Sequence, residues 1–160
     1  MNKADILQRV IDRLNIDLDI ARRAAQTAYE AATHEENIAE NKYDTLGLEA
    51  SYLAAGQARR VEEIRQALAS CQNWTLKPFD ESRGIQTGDL VVLEADNGQS
   101  QYLFIAPDAA GLKVHANDTP ITVITPRAPL GQNLLGKAEG DLVEITINGA
   151  RQSFEVTRVM

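Results

Sequence analysis

The chain has 160 residues, 44% of them apolar and 5% aromatic, with a formal net charge of -7, which allows one or two small domains. A net charge of -7 argues against autonomous nucleic-acid binding, because phosphate neutralisation needs clustered Lys and Arg. The single Cys71 excludes an intrachain disulfide, and the two His residues form no zinc motif. The opening MNKADILQRV holds no apolar run of signal-peptide length. Nowhere do about eighteen apolar residues follow one another, so a soluble cytoplasmic protein without a membrane partner is expected.

Residues 3–72 contain no Pro and only two Gly, Gly47 and Gly56. Apolar or small residues recur at Leu7, Ile11, Leu14, Leu18, Ala21, Ala25, Ala28 and Ala32, alternating four and three, which is the coiled-coil period. The returning arm shows Leu46, Ala50 and Leu53, is interrupted at Gln57, and resumes at Val61, Ile64, Leu68 and Cys71. These patterns predict an antiparallel helical hairpin over residues 3–35 and 43–72, turning at about 35–42. Arms of that length span on the order of 50 Å. Between Glu30 and Glu49 stand six acids (Glu30, Glu35, Glu36, Glu40, Asp44, Glu49) and one base, Lys42. The hairpin therefore carries an acidic turn at its end, able to bring carboxylates into another protein's buried site. His34 reads as solvated there, and Cys71 as a small core residue.

The chain changes character near residue 73. Trp74 is expected at the junction, and residues 75–84 read as a linker. Beyond it come short segments rich in β-branched residues: 90–93, 101–105, 121–124, 142–147 and 153–159. Asp96-Asn97-Gly98, Pro107-Asp108, Asn117-Asp118-Thr119-Pro120 and Asn148-Gly149 separate them as turns, and Asn148-Gly149 between alternating apolar residues predicts a tight hairpin. One helical segment, Pro129 to Leu135, ends at Gly136. The expected fold is α+β: a coiled-coil domain over residues 1–74, a linker over 75–84, and a small β-sheet domain with one short helix over 85–160.

The run Thr125-Pro126-Arg127-Ala128-Pro129-Leu130-Gly131-Gln132-Asn133-Leu134-Leu135-Gly136-Lys137, followed by Gly140-Asp141-Leu142-Val143, resembles the C-terminal signature of the GreA/GreB transcript cleavage factors. Thr87-Gly88-Asp89-Leu90-Val91-Val92-Leu93 resembles the strand that opens their second domain. Ala39-Glu40-Asn41 is similar to the family's tip, and Gly56 falls where the family has a Gly in its return helix. The resemblance covers nearly the whole chain, in the family's order. It implies an antiparallel coiled coil followed by an FKBP-like domain that docks on RNA polymerase through Pro129, Leu130, Leu134, Gly136 and Lys137. The coiled coil would enter the polymerase's secondary channel, with Glu40, Glu36 and Asp44 as the catalytic acids of the tip. Glu40 and Glu36 would help hold a Mg2+ ion shared with the polymerase, supported by Asn37 and Asn41. Two metals can clamp the attacking and leaving oxygens of a phosphodiester, and magnesium needs only one or two added carboxylates. Arg22, Arg23, Arg59 and Arg60 loosely resemble the family's basic patch toward nascent RNA; pairing with Asp17, Asp19, Glu62 and Glu63 is the alternative. The protein would be a monomeric accessory factor, and the polymerase would own the chemistry.

The family's tip carries an Asp three residues before the Glu of its Glu-Asn pair, and this chain has Asn37 there. An amide is neutral, binds magnesium less well and cannot act as a general base. Glu36 can substitute only if it shares a face with Glu40, as i and i+4 do on a helix. The alternative is a channel regulator that does not cleave. A third reading, a peptidyl-prolyl isomerase or chaperone, follows from the FKBP-like half; the thin aromatic supply (Phe79, Tyr102, Phe104, Phe154 and Trp74) argues against it.

Overall fold

A computed structural model describes residues 1–34 and 44–160. The expected turn, with Glu36, Asn37, Glu40 and Asn41, lies outside the described residues. Two long helices, α1 (Lys3–Thr33) and α2 (Thr45–Gln72), precede β1 (Leu90–Ala95), β2 (Ser100–Ile105), β3 (Lys113–Ala116), β4 (Thr119–Ile124), α3 (Pro129–Leu134), β5 (Leu142–Ile147) and β6 (Ala150–Val159). Contacts divide the chain into Arg13–Leu68 and a unit made of Met1–Asp12 with Ala69–Met160. The hairpin's base thus belongs with the sheet, whereas the boundary drawn from sequence ran along the chain at residue 74. No described helix is long and apolar enough to cross a membrane.

Asn2 starts α1 by accepting the Ala4 N–H on its side-chain oxygen (2.8 Å), satisfying one of the donors a helix N-terminus leaves open. Within Arg13–Leu68 the two helices run antiparallel. One open groove takes Arg13, Asp17, Ala21 and Ala24 from α1, and Ile64, Arg60 and Gln57 from α2. Leu14, Leu18, Ala21 and Ala28 are buried on α1, as expected. On α2 the seam differs from the expectation. Leu46 and Leu53 are 75% and 58% exposed, while Gly47 is buried and Ala50, Ala54, Gln57 and Val61 are half-buried. The reason is phase. Counting back from Cys71 in alternating threes and fours gives Leu68, Ile64, Val61, Gln57, Ala54, Ala50 and Gly47. Leu46 and Leu53 each stand one residue, about 100°, off that line. Gln57 occupies the seam and does not interrupt it. The buried and half-buried positions of the upper seam are therefore mostly Ala and Gly.

The six strands form one mixed sheet in the order β3-β4-β2-β1-β6-β5. β2 and β4 pair in parallel, with Phe104 opposite Val123 and Ile105 opposite Ile124; the other pairs are antiparallel. Leu90 to Leu93 are all buried because β1 lies inside the sheet with both faces covered. One face packs Val91, Leu93, Leu103, Ile105, Val143 and Val156 with Leu134 of α3. Phe79 packs against that cluster, which anchors the expected linker at that residue. Leu90, Phe104 and Val123 point to the other face and are equally buried, as are Ile6, Val10 and Cys71 of the same unit.

β3 escaped the sequence reading. Its four residues alternate exposed and buried and end in Asn117 and Asp118, both at positive φ, which is the geometry of a two-residue hairpin turn. The expected turn is there; the strand before it is too short to announce itself. Asn148 and Gly149, at φ +52° and +79°, join β5 to β6 as expected.

Candidate functional site

Two regions carry the candidate residues. The first is the tip side of the helical unit. Among its described residues, Asp44 is the N-cap of α2: its Oδ1 accepts the Gly47 N–H (3.2 Å) and its carbonyl accepts the Leu48 N–H (3.1 Å). A carboxylate at a helix N-terminus also meets the positive end of the helix dipole. Asp44 thus has a structural task at the start of α2. Among the described residues no group of three His, Cys, Asp or Glu side chains stands ready to hold a metal ion.

The four candidate RNA-contacting arginines divide. Arg23 pairs with Asp19 (3.0 Å), one helical turn earlier. Arg60 reaches Glu63 at 3.9 Å and lines the groove with Arg13 and Asp17. Exposed pairs of this kind contribute little, so both guanidiniums can exchange partners at small cost. Arg22 and Arg59 are exposed.

The second region is α3 with the edge strand β5. Pro129 opens α3 at its first position, where its missing N–H costs nothing. Gly131 faces the Thr125 carbonyl so closely that any Cβ would collide with it. This glycine lets α3 lie against the end of β4. Leu134 is fully buried in the core and Leu130 packs against it; Pro129 is exposed. Gly136 donates its N–H to the Ile85 carbonyl (2.8 Å), and the Lys137 carbonyl accepts the Ile85 N–H (2.8 Å). Of the five expected docking residues, then, Leu134 serves the interior, and Gly136 and Lys137 clamp the chain to Ile85. Exposed apolar surface stands beside them, at Leu142 (65%), Ile147 (43%) and Leu135 (36%). Asn133 Nδ2 donates to the outward Glu144 carbonyl (3.1 Å), which closes part of the edge of β5. Sequence reasoning passed over Leu142 because alternation along a strand does not tell an edge from an interior position.

Asp89 of the Thr87-Gly88-Asp89 motif is buried and forms a bracket. It accepts the Lys3 ammonium on Oδ1 (3.0 Å) and the Gln86 N–H on Oδ2 (2.8 Å), while Lys3 also donates to the Lys77 carbonyl (2.7 Å). This pair ties the first turn of α1 to the start of β1. Nearby, Trp74, Thr75, Lys77, Asp80 and Arg83 line an open cleft of about 530 Å³. A second cleft, of about 560 Å³, has Phe154 among Asp96, Asn97, Gln101 and Arg151. Their mixed polar linings differ from the aromatic pocket that a prolyl isomerase requires. Hydrogen bonds from the Ser82 hydroxyl and N–H hold the Asp80 carboxyl below its ordinary range. Burial, aided by the charge of Asp108, pushes the Cys71 thiol up to about 11, so it stays protonated and inert at neutral pH.

Residues 84–160 match the family model described as transcription elongation factor, GreA/GreB, C-term. The chain is 24% identical to the transcription elongation factor GreA of Flavobacterium johnsoniae over 162 residues, covering 98% of this chain and 93% of that protein. It is 24% identical to GreA of Syntrophobacter fumaroxidans, covering 99% of each. A crystal structure of the GreA factor homolog 1 protein of Thermus thermophilus is 21% identical, covers 94% of each chain and gives a TM-score of 0.37.

Proposed function

We propose that the chain is a GreA/GreB-type protein, a Gre-like transcription elongation factor acting on RNA polymerase. The observation that carries this reading is the family match over residues 84–160, joined to a likeness to GreA factors that runs the length of the chain. The sheet domain docks on the polymerase through the exposed side of α3 and β5, with Pro129, Leu135 and Leu142 as contact residues and Leu134 holding α3 in place beneath them. The helical pair would enter the secondary channel, so that the segment between α1 and α2 would reach the polymerase's catalytic centre. Glu40 and Glu36 place negative charge there, and Asp44 caps α2 and fixes the chain four residues beyond Glu40. A magnesium ion bound there with the polymerase's own carboxylates would supply an activated water for cleaving backtracked RNA. Arg22 and Arg59, both exposed, would meet phosphates of the nascent strand.

One observation favours a second reading: Asn37 stands where the family carries Asp. On that reading the factor occupies the channel and modulates elongation without cutting.

Cleavage of RNA in backtracked elongation complexes tests both. The wild-type protein is expected to stimulate cleavage. Glu40→Gln should lower the rate at least about tenfold, which is about 1.4 kcal/mol of barrier, with polymerase affinity nearly unchanged, and Asn37→Asp should raise it. A wild type that binds polymerase and never cleaves selects the regulator reading. A protein that does not bind polymerase overturns both.

A further inference from the structure

The helical unit has two unlike sides. On α2, Glu49, Leu53, Gly56 and Arg60 follow at spacings of four, three and four, so they form one ridge. Leu46 lies on the same flank, seven residues before Leu53. On α1 the matching ridge is Arg13, Asp17, Ile20, Ala24, Thr27 and Ala31. The groove of about 480 Å³ that includes Asp17, Ile20, Ala24, Gln57 and Arg60 establishes that the two ridges border the same side. Ile20, Leu53 and Leu46 stand 59%, 58% and 75% exposed along it. The opposite flank presents Asn15, Arg22, Tyr29, Ser51, Ala58 and Arg65, with one large apolar ring.

Gly56 adds a second observation. A helical glycine costs about 1 kcal/mol relative to alanine, and a Cβ added here would meet nothing within 4 Å. Among the described residues no packing requires it. It opens the α2 backbone to close approach by another body, midway along the exposed apolar strip.

Charge identifies that body. Residues 13–23 with 55–68 carry six arginines and four acids, whereas the described residues 24–34 with 44–54 carry three acids, Glu30, Asp44 and Glu49, and no Lys or Arg. The unit is therefore basic toward its base and acidic toward its turn. A second copy laid head to tail brings each acidic half against the other copy's basic half, twice over, as a two-fold axis requires. Side-by-side pairing in the same direction would oppose like charges.

We propose that this face is a self-association surface, on which two copies pair antiparallel through Ile20, Leu53 and Leu46 and cross at Gly56. This departs from the monomer expected from the sequence and does not depend on the polymerase reading.

Sedimentation equilibrium of the full chain, from about 5 to about 300 µM, tests it at about 50 mM and about 500 mM salt. The expected result is a monomer–dimer equilibrium with Kd on the order of 10 µM at low salt, weakened at high salt. Leu53→Glu and Ile20→Glu should each raise Kd at least about tenfold. Gly56→Leu should do the same while helix content, read by circular dichroism, holds or rises. Tyr29→Glu, on the other flank, should leave the dimer unchanged. A protein that stays monomeric at the highest concentration in low salt overturns the proposal. So does a dimer indifferent to Leu53→Glu and Ile20→Glu, or one dissolved by Tyr29→Glu.

Discussion

The sheet unit and the helical unit bury their residues by opposite means. In the sheet, Phe104, Ile105, Leu93 and Leu134 are fully enclosed, and most of their neighbours are distant in sequence. In the helical unit the upper seam is Ala21, Ala28 and Gly47, while Ile20, Leu46 and Leu53 face outward. Hydrophobic stabilisation scales with the apolar area removed from water. The sheet therefore holds most of the protein's stability, and the helical unit relies on helix propensity, caps and a narrow seam.

The comparison breaks first at Leu134. Leu134→Ala should cost about 2–5 kcal/mol in chemical denaturation, whereas Leu53→Ala, on the exposed flank, should stay within about 0.5 kcal/mol. Equal losses would mean that the division of stability is wrong. Asp89→Ala comes next. It strands a largely buried ammonium, so a loss on the order of 3 kcal/mol is expected, with the amides of the first turn of α1 exchanging faster. Unchanged exchange there would show that the bracket does not hold the helix start. Asp44→Ala should cost about 1 kcal/mol. Hydrogen exchange should report it at Gly47 and Leu48 and leave the sheet amides untouched.

The smallest effect appears only in alkali. The folded Cys71 thiol sits at about 11, above its ordinary 9.0. The fold favours the neutral form, so this contribution is complete below pH 9 and is lost as pH rises through about 11. Thiol labelling should be slow at pH 8 and accelerate only where the protein opens. Rapid labelling of the native protein at pH 8 would contradict the burial of Cys71.

Much of this was legible in the chain. The four-three spacing set both long helices and the buried side of α1 because helical phase is a local property. Turn chemistry set the Asn148-Gly149 hairpin, and β-branched runs marked five of six strands. The motif around Pro129–Lys137 located α3 and carried the family resemblance. It did not distinguish Leu134, which fills the core, from Pro129, which faces out, since both are apolar residues of one short helix.

The sequence by itself determined the two long helices, α3, five of the six strands and the acidic segment between the helices, because each depends on residues a few positions apart. Only the tertiary structure decided that β2 and β4 lie parallel, that Lys113–Ala116 adds an edge strand, and that Lys3 reaches Asp89. It alone put Gly47 and Ala54 in the α2 seam and turned Leu46 and Leu53 outward. The physical reason is common to all four. Each is a choice among partners that local propensity leaves nearly equal, and contacts between residues distant in the chain settle it.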